Sequence, residues 1–184
     1  MLPTRQTHRL SHHRVSHPGA NYFLTINTKE KLPGVTQDSI AKQIKTTLRA
    51  LHQDEAITLL CGTIMPDHLH LLLVLGNNLT LSQTISKFKN ATRKALAAHT
   101  LYWHRNYYDH RIRHQTNTNA FARYIFLNPY RKALLPADQL WPHWLCNRNY
   151  TPDFQEQLNP DSTPPAAWIQ QDTKLDEILS TDKS

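Results

Sequence analysis

Apolar residues recur every three or four positions in two segments of the chain, a spacing that places them on one face of an α-helix. The first segment spans residues 36–55 and the second spans residues 80–100. The apolar stripes consist of Ile40, Ile44, Leu48 and Leu51 in the first segment, and of Leu81, Ile85, Phe88, Thr92 and Leu96 in the second. The pattern predicts two amphipathic helices, and the side-chain oxygen of Thr80 or Ser82 is suited to cap the second one.

Shorter runs around these helices combine apolar, β-branched and aromatic residues, which is typical of strands. They cover residues 21–28, 56–64, 68–75 and 101–113, the last of them a short strand or an extended stretch. Pro66 and Asp67 separate the second run from the third, as the residues of a tight turn do. The predicted order is β-α-β-β-α-β, the arrangement of a ferredoxin-like α+β fold with an antiparallel sheet.

A third helix is predicted over residues 117–135, where asparagine and threonine are candidates for its cap. Pro129 lies inside this stretch and disfavours helical geometry at the residue before it. We therefore expect one helix added after the ferredoxin-like unit, with the local geometry at Asn128 left open.

Charge is distributed unevenly along the chain. Lysine and arginine outnumber aspartate and glutamate by 21 to 14, a formal charge of +7. From residue 151 onward seven acidic residues stand against two lysines, a balance of −5, so residues 1–150 carry +12. Such a basic region attracts polyanions, of which nucleic acid is the commonest. A basic protein without such a partner is the other interpretation of the charge alone.

The two regions are interpreted as one domain over residues 1–150 and an acidic, proline-rich tail over residues 151–184. We expect part of this tail to be disordered because its composition buries little apolar surface. Its apolar residues can still dock a short helix onto the domain; they are Trp168, Leu175, Ile178 and Leu179.

Membrane and disulfide-rich classes do not fit the sequence. No apolar run approaches the roughly 20 residues that a membrane-spanning helix needs. The first 19 residues carry charges and histidines where a signal peptide needs an apolar stretch. Cys61 and Cys146 form neither a disulfide framework nor a zinc pattern. We expect a cytoplasmic protein with two reduced, structural cysteines.

His68 and His70 begin an apolar strand, with Leu69 alone between them. Side chains alternate along a strand, so the two imidazoles share one face and the leucines at 69, 71, 73 and 75 occupy the other, taken as the core side. Imidazoles with Cβ atoms about 7 Å apart can converge on one divalent ion. A solvated or hydrogen-bonded histidine pair is the alternative, and the motif alone favours that alternative.

Tyr124 and Asn128 lie four residues apart on the third predicted helix. That spacing places them about 40° apart around the helix and about 6 Å apart along it, so both side chains face the same point. The alternative is a packed tyrosine followed by a helix-ending asparagine, since Pro129 comes next.

The motif MPDHLHLLL (residues 65–73), followed some fifty residues later by RYIFLNP (residues 123–129), resembles the single-tyrosine transposases of the HUH class. Within that class the chain resembles the REP-associated tyrosine transposases of bacteria. The segments YFLTINT and YYDHRIR agree with this resemblance, which covers roughly residues 20–135. One departure is Asn106, where the family often has glycine.

The resemblance implies a role for each matching residue. His68 and His70 match the metal ligands, Tyr124 matches the nucleophile, and Asn128 matches the polar residue that completes the metal site. The implied activity is metal-dependent cleavage and transfer of single-stranded DNA at palindromic hairpin repeats, through a 5′-phosphotyrosine link. The implied cofactor is Mg²⁺ or Mn²⁺. The resemblance favours a monomer, although dimers that exchange tyrosine helices occur in related transposases.

Basic residues around the predicted site are candidates for binding DNA. Arginines and lysines contact phosphates, and nearby aromatic rings stack on unpaired bases. The candidates are Lys87, Lys89, Arg93, Arg105, Arg111 and Arg113, interleaved in part with Tyr102, Trp103, Tyr107 and Tyr108. We also hypothesise that the acidic tail covers the basic surface in the absence of DNA and lowers non-specific binding.

Two other functions stay open at this point. The first is a domesticated hairpin-binding protein that no longer cuts DNA. The second is a metal-dependent RNA-binding or hydrolytic protein on the same scaffold. A zinc deaminase is disfavoured, because the motif is His-Leu-His rather than His-x-Glu and no Cys-x-x-Cys follows.

Overall fold

The computed structural model describes residues 15–113, 117–170 and 175–182. The domain contains β1 (Asn21–Asn27), α1 (Asp38–Gln53), β2 (Ile57–Ile64), β3 (His68–Leu75), α2 (Leu81–Ala97), β4 (Tyr108–Arg111), α3 (Thr118–Arg131) and β5 (Trp144–Cys146). Two short helices follow in the tail, α4 (Ala166–Gln170) and α5 (Leu175–Thr181).

In the described part of the chain, five strands form one antiparallel sheet in the order β4-β1-β3-β2-β5. The first four strands and the two helices between them have the predicted ferredoxin-like arrangement, which is confirmed. β5 pairs with β2 at the edge and was not predicted, because three residues are too few to show an alternating pattern.

The sheet is buried on both faces. α1 and α2 cover the face that carries the leucines of β3, together with Leu24 and Ile26 of β1. α3 covers the other face, where Phe23 and Leu72 are fully buried. The interpretation of the leucine face as the core side was therefore incomplete. α3 forms a second hydrophobic core on the other face of β3, the face that carries the histidines.

Both predicted amphipathic helices bury their apolar stripes. Thr80, rather than Ser82, caps α2: its side chain accepts a hydrogen bond from the Gln83 main chain at 3.2 Å, and the Gln83 side chain accepts one from the Thr80 main chain at 2.8 Å. This reciprocal capping box is worth about 1 kcal/mol. It fixes where the chain turns from β3 into α2.

α3 continues through Pro129 and ends at Arg131. Phe121, Ile125 and Leu127 are fully buried, and this packing outweighs the local cost of an internal proline. The predicted cap at Asn117 makes no side-chain hydrogen bond to the helix. The uninterrupted helix keeps Tyr124 and Asn128 on one face.

The tail packs against the outer side of α3. Trp168 and Ile178 are buried there, and Leu175 and Leu179 are partly buried against the same cluster, as predicted for a docked helix. Partial disorder of the tail stays a prediction, because residues 171–174 and 183–184 of the tail lie outside the described residues. Residues 1–14 and 114–116 also lie outside them. No helix of the described chain is both long and apolar enough to span a membrane.

Candidate active site

A cleft of about 640 Å³ opens at the end of the sheet where β3 begins, on the face covered by α3. β1, β3 and α3 form its walls, and α5 borders its mouth. The residues that line it include His68, His70, Tyr124 and Asn128, so the four predicted catalytic and metal-binding residues converge on one cavity.

The two histidines point their Nε2 atoms at each other, 3.1 Å apart. Each ring is held from behind through Nδ1: that of His68 lies 2.6 Å from an Asp67 carboxylate oxygen, and that of His70 lies 2.9 Å from the Thr25 hydroxyl. Because a carboxylate only accepts hydrogen bonds, Nδ1 of His68 is the protonated nitrogen and its Nε2 carries a lone pair. The pair is suited either to an internal hydrogen bond or to a shared ion.

Burial sets the protonation state of both rings. It lowers the pKa of His68, although the Asp67 carboxylate opposes this, and it lowers the pKa of His70 well below its usual range, with a further decrease from the charge of His68. Both imidazoles are therefore favoured in the neutral form, which is the form that binds metals.

Tyr124 and Asn128 face the histidines from α3. The Tyr124 ring lies edge-on to His70, with the ring centroids 5.6 Å apart. Burial raises the pKa of the Tyr124 phenol, while a hydrogen bond from the Asn128 side chain and the charge of Arg131 lower it. Asn128 is 5% exposed, and its Oδ1 atom has no hydrogen-bond partner.

This donor set fits a divalent ion. Two nitrogens that each lie about 2.1 Å from one ion are about 3.0 Å apart when the angle between them is near 90°, and the two Nε2 atoms are 3.1 Å apart. A buried amide oxygen without a partner costs about 1–3 kcal/mol unless something else satisfies it. No three His, Cys, Asp or Glu side chains of the described residues cluster to hold a metal. The Asn128 amide is the candidate third ligand beside the two imidazoles.

Sequence reasoning missed four side chains at this site. Thr25 and Asp67 orient the two imidazoles, and Lys31 and Lys132 line the cleft, where their charges also lower the pKa of His68. Lys132 could have been predicted from the sequence. It follows Asn128 by four residues, the same spacing that separates Asn128 from Tyr124, so the three residues lie along one side of the helix. Thr25 and Lys31 carried no such signal, because β1 and the turn after it reach β3 only in the folded sheet.

The family of IS200-like transposases matches residues 17–126, more than half of the chain. The chain belongs to this family. The match includes His68, His70 and Tyr124 and ends two residues before Asn128. No curated protein matches the chain significantly in sequence.

One solved structure supports the fold, and a second shows a weaker similarity. A REP-associated tyrosine transposase bound to a REP hairpin superposes with a TM-score of 0.61 at 18% identity, over 72% of this chain and 79% of that one. A candidate transposase from Deinococcus radiodurans R1 gives a TM-score of 0.45 at 21% identity, over 59% of this chain and 90% of that one.

The predicted DNA-binding residues lie outside the cleft of this transposase. Lys87 pairs with Asp54 at 2.7 Å, near the opposite end of the sheet. Lys89 donates to the main-chain carbonyls of residues 104–106 at 2.9, 3.1 and 3.2 Å, which anchors the loop before β4. The remaining four are exposed: Arg93, Arg105, Arg111 and Arg113.

Proposed function

We propose that this transposase is a metal-dependent single-strand DNA endonuclease and strand transferase that recognises palindromic hairpin repeats. The observation that carries the proposal is the convergence of His68, His70, Tyr124 and Asn128 on one cleft, with both Nε2 atoms and the unpartnered Asn128 oxygen available to an ion. His70 is 4% exposed, so the pair is not solvated, and the internally hydrogen-bonded pair is the alternative that the experiment below distinguishes.

Tyr124 is the proposed nucleophile. Its phenolic oxygen forms a bond to the scissile phosphorus as the bond from phosphorus to the 3′ oxygen breaks. The phenol loses its proton, and the departing 3′ oxygen gains one, so the products are a 5′-phosphotyrosine and a free 3′-hydroxyl. The reverse reaction with another 3′-hydroxyl rejoins DNA without ATP. Since burial raises the pKa of this phenol, the site must assist the loss of the proton.

His68, His70 and Asn128 are the proposed metal ligands, with Asp67 and Thr25 orienting the two rings. When bound, Mg²⁺ or Mn²⁺ supplies Lewis-acid polarisation of the scissile phosphate. The nitrogen ligands favour Mn²⁺ over Mg²⁺, since imidazole suits the softer ion. Lys31 and Lys132 are placed to bind the phosphates on either side of the cut and to favour the charge that develops there.

Hairpin recognition is proposed from the solved REP-associated tyrosine transposase, which holds a REP hairpin. The exposed arginines at 93, 105, 111 and 113 stay candidates for the phosphate contacts of such a substrate. Exposed Tyr102 and partly buried Tyr108, which borders the cleft, are candidates for stacking on unpaired bases.

The decisive experiment looks for the covalent adduct. Labelled single-stranded DNA carrying the hairpin repeats that flank the gene of this protein is incubated with Mn²⁺ or Mg²⁺ and resolved on a denaturing gel. We expect an adduct with the wild-type chain, and none with Tyr124→Phe, with His68→Ala or after chelation. Phe keeps the ring that packs on His70, so its failure would report chemistry rather than folding.

Two results would contradict this proposal. Tight hairpin binding without any adduct would support the domesticated binding protein. Metal-dependent cleavage that releases a 5′-phosphate without an adduct, and persists in Tyr124→Phe, would show hydrolysis by water instead.

A further inference from the structure

A second concave surface lies on the opposite face of the sheet from the cleft, between α1 and the edge strand β5. It has a volume of about 640 Å³. Its apolar floor consists of Leu48, Leu59 and Leu145, and its rim carries Lys45, Arg49, His52 and Arg148. We call it the α1–β5 groove.

The rim concentrates positive charge from two separate elements. The cations Lys45 and Arg49 are four residues apart and follow one another along a single face of α1, with the His52 imidazole next on that face. Lys45 also donates from Nζ to the Pro142 carbonyl at 3.3 Å. Arg148 faces them from the turn after β5, and no acidic residue lines the groove. Arg49 and Arg148 are exposed, and neither is in an ion pair with a carboxylate of the described chain.

The turn that carries Arg148 is fixed to the sheet. Asn147 donates from its side chain to the Leu59 carbonyl at 2.8 Å and from its main chain to the Leu60 carbonyl at 2.9 Å. Its side-chain oxygen in turn accepts a hydrogen bond from the Asn149 main chain at 3.0 Å. The backbones that carry the cations on the two walls are therefore held at a set separation, which lowers the entropic cost of binding an anion.

We infer that the α1–β5 groove binds the phosphate backbone of a nucleic-acid duplex. Cations on both walls contact phosphates, and the apolar floor accommodates the sugar edge between them. A single strand is a poorer fit, because single-strand sites offer aromatic rings for stacking. Trp144 borders the groove, yet its ring packs against Phe126 on the other face of the sheet, with centroids 5.2 Å apart.

The groove cannot be an extension of the cleft. It lies beside Leu59, whereas the histidines lie beside the other end of β2 at Ile64, roughly 14 Å along the strand and on the opposite face. One DNA molecule that uses both sites must carry a duplex for the groove and a flexible strand for the cleft. The inference rests on the proposed function only in taking DNA as the nucleic acid.

The test measures how the affinity of the protein for a DNA hairpin depends on salt concentration. A DNA hairpin of about 12 base pairs and arbitrary sequence, with a short single-stranded extension, is titrated by fluorescence anisotropy between about 50 and 200 mM salt. The variant Arg49→Gln/Arg148→Gln is compared with Lys29→Gln/Lys94→Gln, which removes two charges away from the groove. A third variant, Arg49→Lys/Arg148→Lys, keeps the charge, and thermal unfolding of all three checks the fold.

We expect the plot of log affinity against log salt to become shallower by about 1.8 in Arg49→Gln/Arg148→Gln, since each lost phosphate contact with a duplex removes about 0.9. Affinity at low salt should fall about 10-fold or more, while both comparison variants stay within about twofold of the wild type. An unchanged slope, or an equal decrease in Lys29→Gln/Lys94→Gln, would overturn the inference.

A separate readout keeps this inference distinct from the proposed function. The groove variant should form the Tyr124 adduct normally on an unstructured single strand, because its cleft is intact. If no chain forms an adduct but the slope changes as expected, the nuclease proposal fails and the groove stands. If the adduct forms and the slope does not change, the groove fails alone.

Discussion

At the scale of single residues, the site depends on side chains that hold the imidazoles in place. Thr25 contacts Nδ1 of His70 at 2.9 Å from the neighbouring strand. Such outer contacts fix the ring and its tautomer, and their loss usually costs about 10- to 100-fold in metal affinity.

We therefore expect Thr25→Val, which keeps the shape but removes the hydroxyl, to weaken Mn²⁺ binding by about 10-fold or more. Titration calorimetry measures this directly. Thr25→Ser retains the hydroxyl and serves as the matched control, with near wild-type affinity. Equal Mn²⁺ affinity in the Val and Ser variants would show that the contact does not orient the ring.

Asn128 provides a second residue-scale prediction. Its buried Oδ1 has no partner, and this cost offsets the hydrogen bond to Tyr124 that the substitution removes, so Asn128→Leu should change the free energy of unfolding of the metal-free chain by less than about 1 kcal/mol in urea. Saturation with Mn²⁺ at about 100 times its dissociation constant should add about 2.7 kcal/mol to the unfolding free energy of the wild type. Most of that gain should be lost in the Leu variant.

Asn128→Asp is the control, because it keeps an oxygen at the same place and should keep the stabilisation by Mn²⁺. If Mn²⁺ stabilised Asn128→Leu as strongly as the wild type, the amide would have no part in the metal site.

At the scale of elements, α5 connects the tail to the site. Leu175, Asp176 and Leu179 line the cleft, and the fully buried Asp182 lies 2.7 Å from Nε2 of His110 and accepts hydrogen bonds from the Arg113 main chain. Because removing the whole tail would also expose Trp168 and Ile178, substitution tests the hypothesis of charge shielding more cleanly than deletion does.

Neutralising Asp176, which lines the cleft, together with the adjacent Glu177 should strengthen non-specific DNA binding. We expect Asp176→Asn/Glu177→Gln to bind random single-stranded DNA about 3- to 10-fold more tightly at low salt, with the difference shrinking as salt screens the charges. Electrophoretic mobility shift measures the affinity. The control Asp153→Asn/Glu156→Gln makes the same charge change away from the cleft, and an equal effect of the two pairs would show only an effect of net charge.

At the scale of the whole molecule, one chain supplies every residue of the candidate site. The rings of Tyr124 and His70 lie 5.6 Å apart within the same chain, so the geometry agrees with a tyrosine that acts in cis. The expectation of a monomer comes from the family resemblance and stays a prediction.

Mixing two inactive variants tests this arrangement. An equimolar mixture of Tyr124→Phe and His68→Ala should form no adduct, because no chain contains both the nucleophile and the histidine pair. In a dimer with exchanged tyrosine helices, mixed dimers would contain one complete site, and a substantial fraction of the wild-type adduct would return. Its return would replace the cis arrangement with a swapped one.

The sequence by itself determined the elements whose signal is local. The helical stripes and the tight turn before β3 were predicted because each depends on spacing along the chain, while the cap of α2 was left between Thr80 and Ser82. The candidate site residues His68, His70, Tyr124 and Asn128 were singled out by the resemblance of their motifs to a family. The β-α-β-β-α-β order then limits the sheet to few topologies, so the ferredoxin-like arrangement was also within reach.

Only the tertiary structure decided which residues that are distant along the chain contact one another. It buried the second face of the sheet, brought Thr25, Lys31 and Lys132 to the histidines, and gave Lys87 and Lys89 partners within the protein. It also assembled the α1–β5 groove from residues about a hundred positions apart. Long-range packing and the pairing of a three-residue edge strand produce no periodic pattern in the sequence. They are stabilised by contacts with residues that are distant along the chain.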